Sequence, residues 1–553
     1  MTMARSKKTL QTLVGNMKKN DIIELEIIDI THEGSGVGRY EGMAIFVPGT
    51  AVGDTIKAHI LKVNKNYAFA KCDEILTYSQ HRIDLDCGVF ARCGGCTLRH
   101  IDYKYEAALK QNRVTQTMRR IGGATMDARD VIYNECPNRY RNKALYPVAE
   151  GGEIGFYSHH SHRVVVCEDC LLHPEVFTTA GKVFTNFVKE NGISVYNEQS
   201  GKGLLRHFYL REGKLTGEIM VGVVINGNKL PNAQKLIDDL KSALGERLTS
   251  VILNINTLDT NVVLGDKNVC FYGREYIYDI LCGVHIRISP HSFYQVNHDM
   301  AERLYEKAAE YAIPEGKNIL DLYCGAGTIG LSMAKKAKSI IGVEIVDAAI
   351  RDANINAKEN GIQNARFICG DAAKAALQLK GENVSADVVI LDPPRKGCEE
   401  SLLNTVALDF APERIVYVSC DVATLARDTA ILEKLGYKLI EYTPCDLFPR
   451  TAHVETVALL SRQKVDEHIY LDVNVQDLPK TTRTTATYPE IKAYIKDKYG
   501  LNVTSLNIAQ IKEKHGFEKR ENYNKGKEGH RVPNCPPEKE KAIEDAFKHF
   551  GML

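Results

Sequence analysis

Tryptophan is absent from the 553 residues, which by itself excludes nothing. Other absences say more. No apolar run approaches the ~18 residues that a membrane-spanning helix needs. The basic first residues are not followed by the apolar core of a secretory signal. These features lead to the expectation of a cytoplasmic chain with no membrane partner and no obligate protein partner in evidence. In that setting the fifteen cysteines read as thiols, ligands or nucleophiles rather than disulfides. An excess of charge is missing too: 71 Lys+Arg against 70 Asp+Glu leave a net charge of +1. No global basic field advertises a nucleic acid, so any such contact has to come from local patches. Residues 1–20 hold five Lys/Arg and no acid, and residues 99–143 hold ten against five acids. On charge alone, each reads as a solvated face.

What is present is ordinary material for several cores, 44% hydrophobic and 25% charged. The chain divides by pattern. Residues 1–20 form a basic tail. Residues 21–76 carry short alternating segments (Asp21–Ile30, Met43–Pro48, Asp54–Val63, Tyr67–Ile75) punctuated by glycines, which suggests a small barrel of the oligonucleotide-binding type. Residues 77–290 form a central α+β domain: a cysteine cluster, a basic helix over 105–122, then mostly strands with a helix near Pro231–Leu244. Residues 291–462 open with a helix over 295–312. They continue as strands Asn318–Leu322, Ser339–Glu344, Ala365–Cys369, Val388–Leu391, Arg414–Ser419, Tyr437–Tyr442 and His453–Leu460. Helical patterns separate the first six, which predicts a Rossmann-like, doubly wound, mostly parallel sheet. The seventh follows without a helix and is expected to run antiparallel. Residues 464–553 form a small C-terminal extension with helices over Tyr488–Tyr499 and Pro537–Phe550 and a basic stretch, Lys512–Arg531, where an accessory RNA contact is conceivable.

The segment Asp321-Leu-Tyr-Cys-Gly-Ala-Gly-Thr-Ile-Gly330 follows a strand and opens a helix. Its Gly325, Gly327 and Gly330 match the dinucleotide fingerprint, and Glu344 follows where a ribose-binding acid is expected. That pattern is shared by nicotinamide and S-adenosylmethionine enzymes. Asp321 shifts the balance. An acid at this strand end would repel a pyrophosphate, whereas a cationic sulfonium and amine would welcome it. Asp392-Pro-Pro-Arg ends the fourth strand. Arg395 stands where amino-group methyltransferases place a base-stacking aromatic, which weakens an N-methylation reading. A helix cap is the plain alternative for Asp392.

Cys420 ends the fifth strand, and ligands of open α/β sheets sit beyond the carboxyl ends of their strands. The helix opening near Val422 is expected to lower its pKa through its dipole. A thiol there has a chemical purpose. Carbon 5 of uracil is a poor nucleophile, and thiolate addition at carbon 6 creates an enolate that makes carbon 5 reactive toward a sulfonium methyl. A base must then remove the carbon-5 proton. Glu455 is the candidate, because an antiparallel last strand begins at the face where Cys420 lies. Alone, Cys420 reads as core packing and Glu455 as a solvated strand residue; the cofactor loop joins them into a site.

With these motifs the sequence resembles the RNA uracil-5-methyltransferases, most closely the bacterial 23S ribosomal RNA enzymes, over roughly residues 20–462. The resemblance rests on Ser289–Asn297, Asp321–Gly327, Leu391-Asp-Pro-Pro-Arg, Val418–Asp428 and Phe448–Thr456. Val422 departs from the proline often found after the family's Ser-Cys-Asp. The resemblance implies S-adenosylmethionine contacts at Gln295, Tyr323, Glu344, Asp392, Thr328 and Asp371, Cys420 as nucleophile and Glu455 as base. It implies a TRAM barrel near the amino terminus, RNA near residues 140–143, and a uridine in a structured single-stranded loop of 23S ribosomal RNA as target. The same chemistry on transfer RNA, or an RNA-binding protein with an inactive methyltransferase domain, are the alternatives; a nicotinamide oxidoreductase is disfavoured by Asp321.

Cys87-x5-Cys93-x2-Cys96 has metal-ligand spacing, for which zinc is the default reading. The resemblance implies a [4Fe–4S] cluster instead, with a fourth ligand at Cys170 or Cys167; counting from Ser161-His162 favours Cys170. Four thiolates suit either metal.

Overall fold

The computed structural model describes residues 17–463, 486–517 and 535–553. Most of the amino-terminal basic tail and most of Lys512–Arg531 therefore lie outside the described residues. The chain forms two compact units, residues 1–464 and 465–553.

In the first unit, alternation along the early segments makes a barrel. Strands β1 (Ile22–Ile30), β2 (Ser35–Tyr40), β3 (Met43–Pro48), β4 (Thr55–Val63) and β5 (Tyr67–Thr77) close in the order β1-β2-β3-β5-β4, and β4 returns to β1. Ile23, Leu25, Ile27, Ile45, Val47, Ile56, Ala58 and Ile60 fill its interior, every second residue as a pleated strand dictates. Asp54 locks the barrel to the chain that follows. It is fully buried, accepts both amides of Ala51 and Ser79, and is gripped by Arg82 at 2.7 to 3.1 Å. Burial opposes its charge, but those donors win and hold its carboxyl below the usual range.

The cysteine segment leads into α1 (Tyr103–Gly122), capped by Asp102 at its start and by Gly123 in the left-handed conformation at its end. The central sheet comprises β6 (Lys143–Pro147), β9 (Leu205–Glu212), β10 (Ile219–Ile225), β11 (Leu248–Ile255) and β12 (Lys267–Gly273), ordered β12-β11-β10-β9-β6. Two hairpins accompany it, β7 (Gly155–Tyr157) with β8 (Val164–Val166), and β13 (Ile277–Leu281) with β14 (Val284–Ile288). Helices α2 (Glu175–Glu190) and α3 (Ala233–Leu244) pack their apolar stripes against the sheet. The sequence reading anticipated α3 but not α2, whose phenylalanines Phe177, Phe184 and Phe187 suit a strand as well as a helix.

After α4 (His298–Ala312) comes the doubly wound sheet: β15 (Asn318–Leu322), α5 (Thr328–Met333), β16 (Ser339–Glu344), α6 (Asp347–Glu359), β17 (Ala365–Cys369), α7 (Ala372–Gly381), β18 (Val388–Leu391), α8 (Glu400–Asn404), β19 (Arg414–Ser419), α9 (Val422–Lys434), β20 (Tyr437–Cys445) and β21 (Glu455–Arg462). The order is β17-β16-β15-β18-β19-β21-β20. The first five are parallel, and β21 slots antiparallel between β19 and β20. The expected antiparallel last strand is thus present, beginning at Glu455 rather than His453.

The second unit holds α10 (Tyr488–Tyr499), α11 (Ser505–Lys514) and α12 (Pro537–His549), packed through Ile491, Ile495, Ile508, Ile543 and Phe547. The middle helix was not foreseen. Among the described residues no helix is long and apolar enough to cross a membrane.

Candidate active site

Antiparallel pairing of β19 with β21 sets Val418 opposite Val457 and Ser419 opposite Thr456. Cys420 and Glu455 directly flank that last pair, and the Glu455 charge reaches the Cys420 thiol. Both line a cavity of about 2590 Å³, together with Gln295, Tyr323, Gly325, Thr328, Glu344, Asp371 and Asp392. Seven of the nine expected cofactor contacts therefore meet the two catalytic candidates in one space.

The glycine loop is shaped by acids. Glu344, at the end of β16, accepts the Gly325 amide at 3.3 Å and the Val346 amide at 2.9 Å. Gly327 caps α5 with φ 77°, and a Cβ there would lie 2.7 Å from the Phe367 ring. Only glycine fits that position. Tyr323 also adopts positive φ, 66°, and Asp371 caps α7 by accepting the Lys374 amide.

Two of the expected contacts stand apart from that lining. Asp321 and Gly327 do not line the cavity. Asp321 lies fully buried beneath the loop, where one carboxylate oxygen accepts the Gly330 amide at 3.1 Å and the other has no hydrogen-bond partner. It builds the loop from behind rather than touching what the loop holds. Burial, then repulsion from Asp392, pushes its carboxyl up to about 7. Asp392 rises to about 7 for the same reasons, with Glu344 as the repelling neighbour. None of Asp321, Asp392 and Glu455 has an ion-pair partner among the described residues.

Burial pushes Glu455 up to about 8, with repulsion from Asp392 adding and Arg395 opposing. Cys420 also rises, to about 11, through burial and then the negative Glu455 and Asp392. A depressed thiol was expected from the α9 dipole. Burial and those two carboxylates outweigh it, and the α9 end is already answered by an anion, because the Asp421 carboxylate accepts the amides of Ala423 and Thr424 at 2.9 and 3.0 Å.

The loop between β20 and β21 is held by a network that sequence reasoning missed. Lys110 of α1, almost fully buried, donates to Glu106 at 2.8 Å, to Asp446 at 2.7 Å and to the Phe448 carbonyl at 3.2 Å. The Arg450 amide donates to Glu106 at 2.8 Å and its guanidinium to the Ile101 carbonyl. The amides of Thr97 and Leu98 both donate to the Arg450 carbonyl at 3.0 Å, which ties the cysteine segment to the loop that ends at Glu455. A lysine four residues after a glutamate on a helix reads as a solvated pair. Nothing local points to Asp446, 336 positions away.

Arg113, one turn beyond Lys110, lines the same cavity, and its Nε is buried with no hydrogen-bond partner. Arg395, Arg113, Lys110 and Arg141 all press on His453, whose imidazole is driven down first by burial and then by these cations.

Cys87, Cys93, Cys96, Cys167 and Cys170 line a second cavity of about 400 Å³. The four expected ligands are brought together there, with Cys167 beside them. Among the described residues no group of three metal-ligating side chains stands close enough to hold a single ion. Arg99, Arg141 and Lys143 face this cavity and no carboxylate does. Lys143 is driven down to about 7, by burial first and by Arg211 and Arg141 next.

Against known proteins, residues 103–463 match the family model described as tRNA (uracil-5-)-methyltransferase, and residues 18–72 match the TRAM domain. A protein of Bacillus cereus named as an uncharacterized RNA methyltransferase is 43% identical over 449 residues, 80% of this chain and 98% of that one. A Caldanaerobacter subterraneus protein of the same description is 42% identical over 453 residues, 81% of this chain and all of that one. The crystal structure of Pyrococcus abyssi tRNA (uracil-54, C5)-methyltransferase in complex with S-adenosyl-L-homocysteine superposes with TM-score 0.66 and 30% identity, covering 79% of this chain and all of that one. With the barrel, the doubly wound sheet and the paired thiol and carboxylate in place, these matches establish that the chain belongs to the tRNA (uracil-5-)-methyltransferase family of RNA methyltransferases.

Proposed function

We propose that this chain methylates carbon 5 of a uridine in a single-stranded loop of 23S ribosomal RNA, with S-adenosylmethionine as methyl donor. The observation that carries the reading is that Cys420 and Glu455, which flank the last pair of the β19–β21 register, line one cavity beside the glycine loop. The donor set fits the cofactor. Glu344 and Asp392 line the cavity beside the loop with no ion pair among the described residues, which suits a sulfonium and an amine and repels a pyrophosphate.

Cys420 adds as thiolate to uracil carbon 6, forming the S–C6 bond while the C5–C6 π electrons pass into an enolate. S-adenosylmethionine, when bound, would supply the methyl group to carbon 5, with the methyl–sulfur bond breaking, its electron pair returning to sulfur and S-adenosylhomocysteine leaving. Glu455 removes the carbon-5 proton, the C5–C6 double bond reforms, and the C6–S bond breaks to release the thiolate. A carboxyl raised to about 8 suits that last step, because its basicity lies near neutral pH. The uridine has to leave its stack to bring carbons 5 and 6 to these groups.

Cys87, Cys93, Cys96 and Cys170 are the proposed holders of a [4Fe–4S] cluster; zinc is the alternative. The support is chemical: thiols grouped in one cavity whose charged lining is wholly cationic, as an anionic thiolate cluster requires. The methyl transfer needs no redox step, so its service is structural. Anaerobic purification is expected to yield a brown protein with about four irons per chain; stoichiometric zinc would overturn the assignment. The chain is proposed to act in the cytoplasm.

Transfer RNA is the second reading, favoured by the likeness to the Pyrococcus abyssi enzyme. Mapping 5-methyluridine across total RNA with and without the protein separates the two. Sites that vanish from 23S ribosomal RNA support the first reading, and loss confined to transfer RNA selects the second.

A further inference from the structure

The outer face of the barrel carries three aromatic rings that belong to no core. Strands β3 and β5 run parallel with Phe46 beside Phe69 and Ala44 beside Tyr67. Strand alternation therefore turns Phe46, Tyr67 and Phe69 outward together. Their ring centroids lie 5.5 to 5.8 Å apart, and the planes of Tyr67 and Phe69 meet at 88°. Tyr67 and Phe69 are 39% and 42% exposed. Lys62 lies across from Phe69 on β4 and makes no ion pair among the described residues.

The same register fixes where this cluster points. Pro48 lies two residues along β3 from Phe46, and Lys71 two residues along β5 from Phe69, each a step of about 7 Å. Pro48 and Lys71 line the large cavity that also holds Cys420 and Glu455. The rings thus stand two residues along their own strands from the lining of the cavity that holds the reactive thiol.

We propose that Phe46, Tyr67 and Phe69 form a stacking platform for unpaired bases of the same RNA strand whose uridine enters the cavity. The inference rests on the RNA reading given above and adds a second contact site to it. Open aromatic faces take any base, and the unpaired Lys62 supplies the charge that a neighbouring phosphate needs.

The absence of tryptophan makes the test clean, because Phe69→Trp installs a single fluorophore on the platform. Titration with an unstructured oligouridylate of roughly ten nucleotides is expected to quench it saturably, with midpoints that rise with salt. Tyr67→Ala with Phe69→Ala should raise KM for a long RNA substrate about tenfold or more. It should leave kcat, and turnover of a short hairpin without flanking single strand, unchanged; Phe69→Tyr should restore KM. Unaltered fluorescence at saturating oligonucleotide, or an unchanged KM in the double alanine variant, would overturn the platform. So would a fluorescence change that follows protein concentration without RNA, which would assign the face to a second copy of the chain. Quenching without methylation of any RNA would keep the platform and sink the uracil reading instead.

Discussion

Two buried charged centres in the first unit are built on opposite principles. Around Lys110 each charge has an ion-pair partner: Glu106, Asp446 and Arg450 close a network in which two cations meet two carboxylates. Around the cavity, Asp321, Asp392 and Glu455 are buried or half-buried with no ion pair among the described residues, and their carboxyls drift up to about 7 or 8. The balanced centre holds a loop still. The unbalanced one leaves charge to be completed by a bound cation and leaves a proton free to move. Perturbed groups gather where chemistry happens, and here the perturbation comes from what the fold withholds.

The comparison breaks first at Cys420. Cys420→Ala should abolish methylation while leaving S-adenosylmethionine binding intact by calorimetry; residual turnover would remove the thiol from the mechanism. Next, Lys110→Met strands two buried carboxylates and should cost about 3–5 kcal/mol in denaturant unfolding, whereas Asp392→Asn should cost little stability and weaken cofactor binding. Equal losses would show that the two centres do not differ. Gly327→Ala forces a left-handed backbone and a clash with Phe367; a loss of about 1–3 kcal/mol with weaker cofactor binding is expected.

The smallest effect is on pH. Asp321, Asp392 and Glu455 hold their protons more tightly folded than unfolded. Their contribution to stability is complete below about pH 4 and is lost as pH rises through 7 to 8. Glu455→Gln should flatten the fall in Tm between pH 5 and pH 8.5, two settings on either side of that window, and should trap a covalent RNA adduct. An unchanged slope would mean that Glu455 is charged in the folded protein.

Much of this was legible in the chain. Each of the first five strands of the doubly wound sheet lies where its apolar run and flanking turns place it; β15, β18 and β19, buried along nearly their whole length, carry the plainest signature. Cys420 and Glu455 were readable as partners once β21 was taken as antiparallel. What could not be read depends on depth and on distant partners. Asp321 sits at the expected strand end, yet its side chain turns under the loop to Gly330. The Cys420 thiol stands at a helix start, yet Asp421 has already taken the amides. Lys110 finds Asp446 only because α1 is laid beneath the β20–β21 loop. Helix α2 hid among aromatics that serve either geometry.

The pairing of Ser419 with Thr456 also governs which changes of chain length this protein tolerates. Side chains alternate across a sheet, so removing one residue from β21 after Glu455 would pass the carboxylate to the opposite face. Removing two would keep the face and draw the carboxylate along the strand by about 7 Å. Insertions and deletions in this strand should therefore divide by parity, odd ones silencing the enzyme outright and even ones leaving a trace of activity.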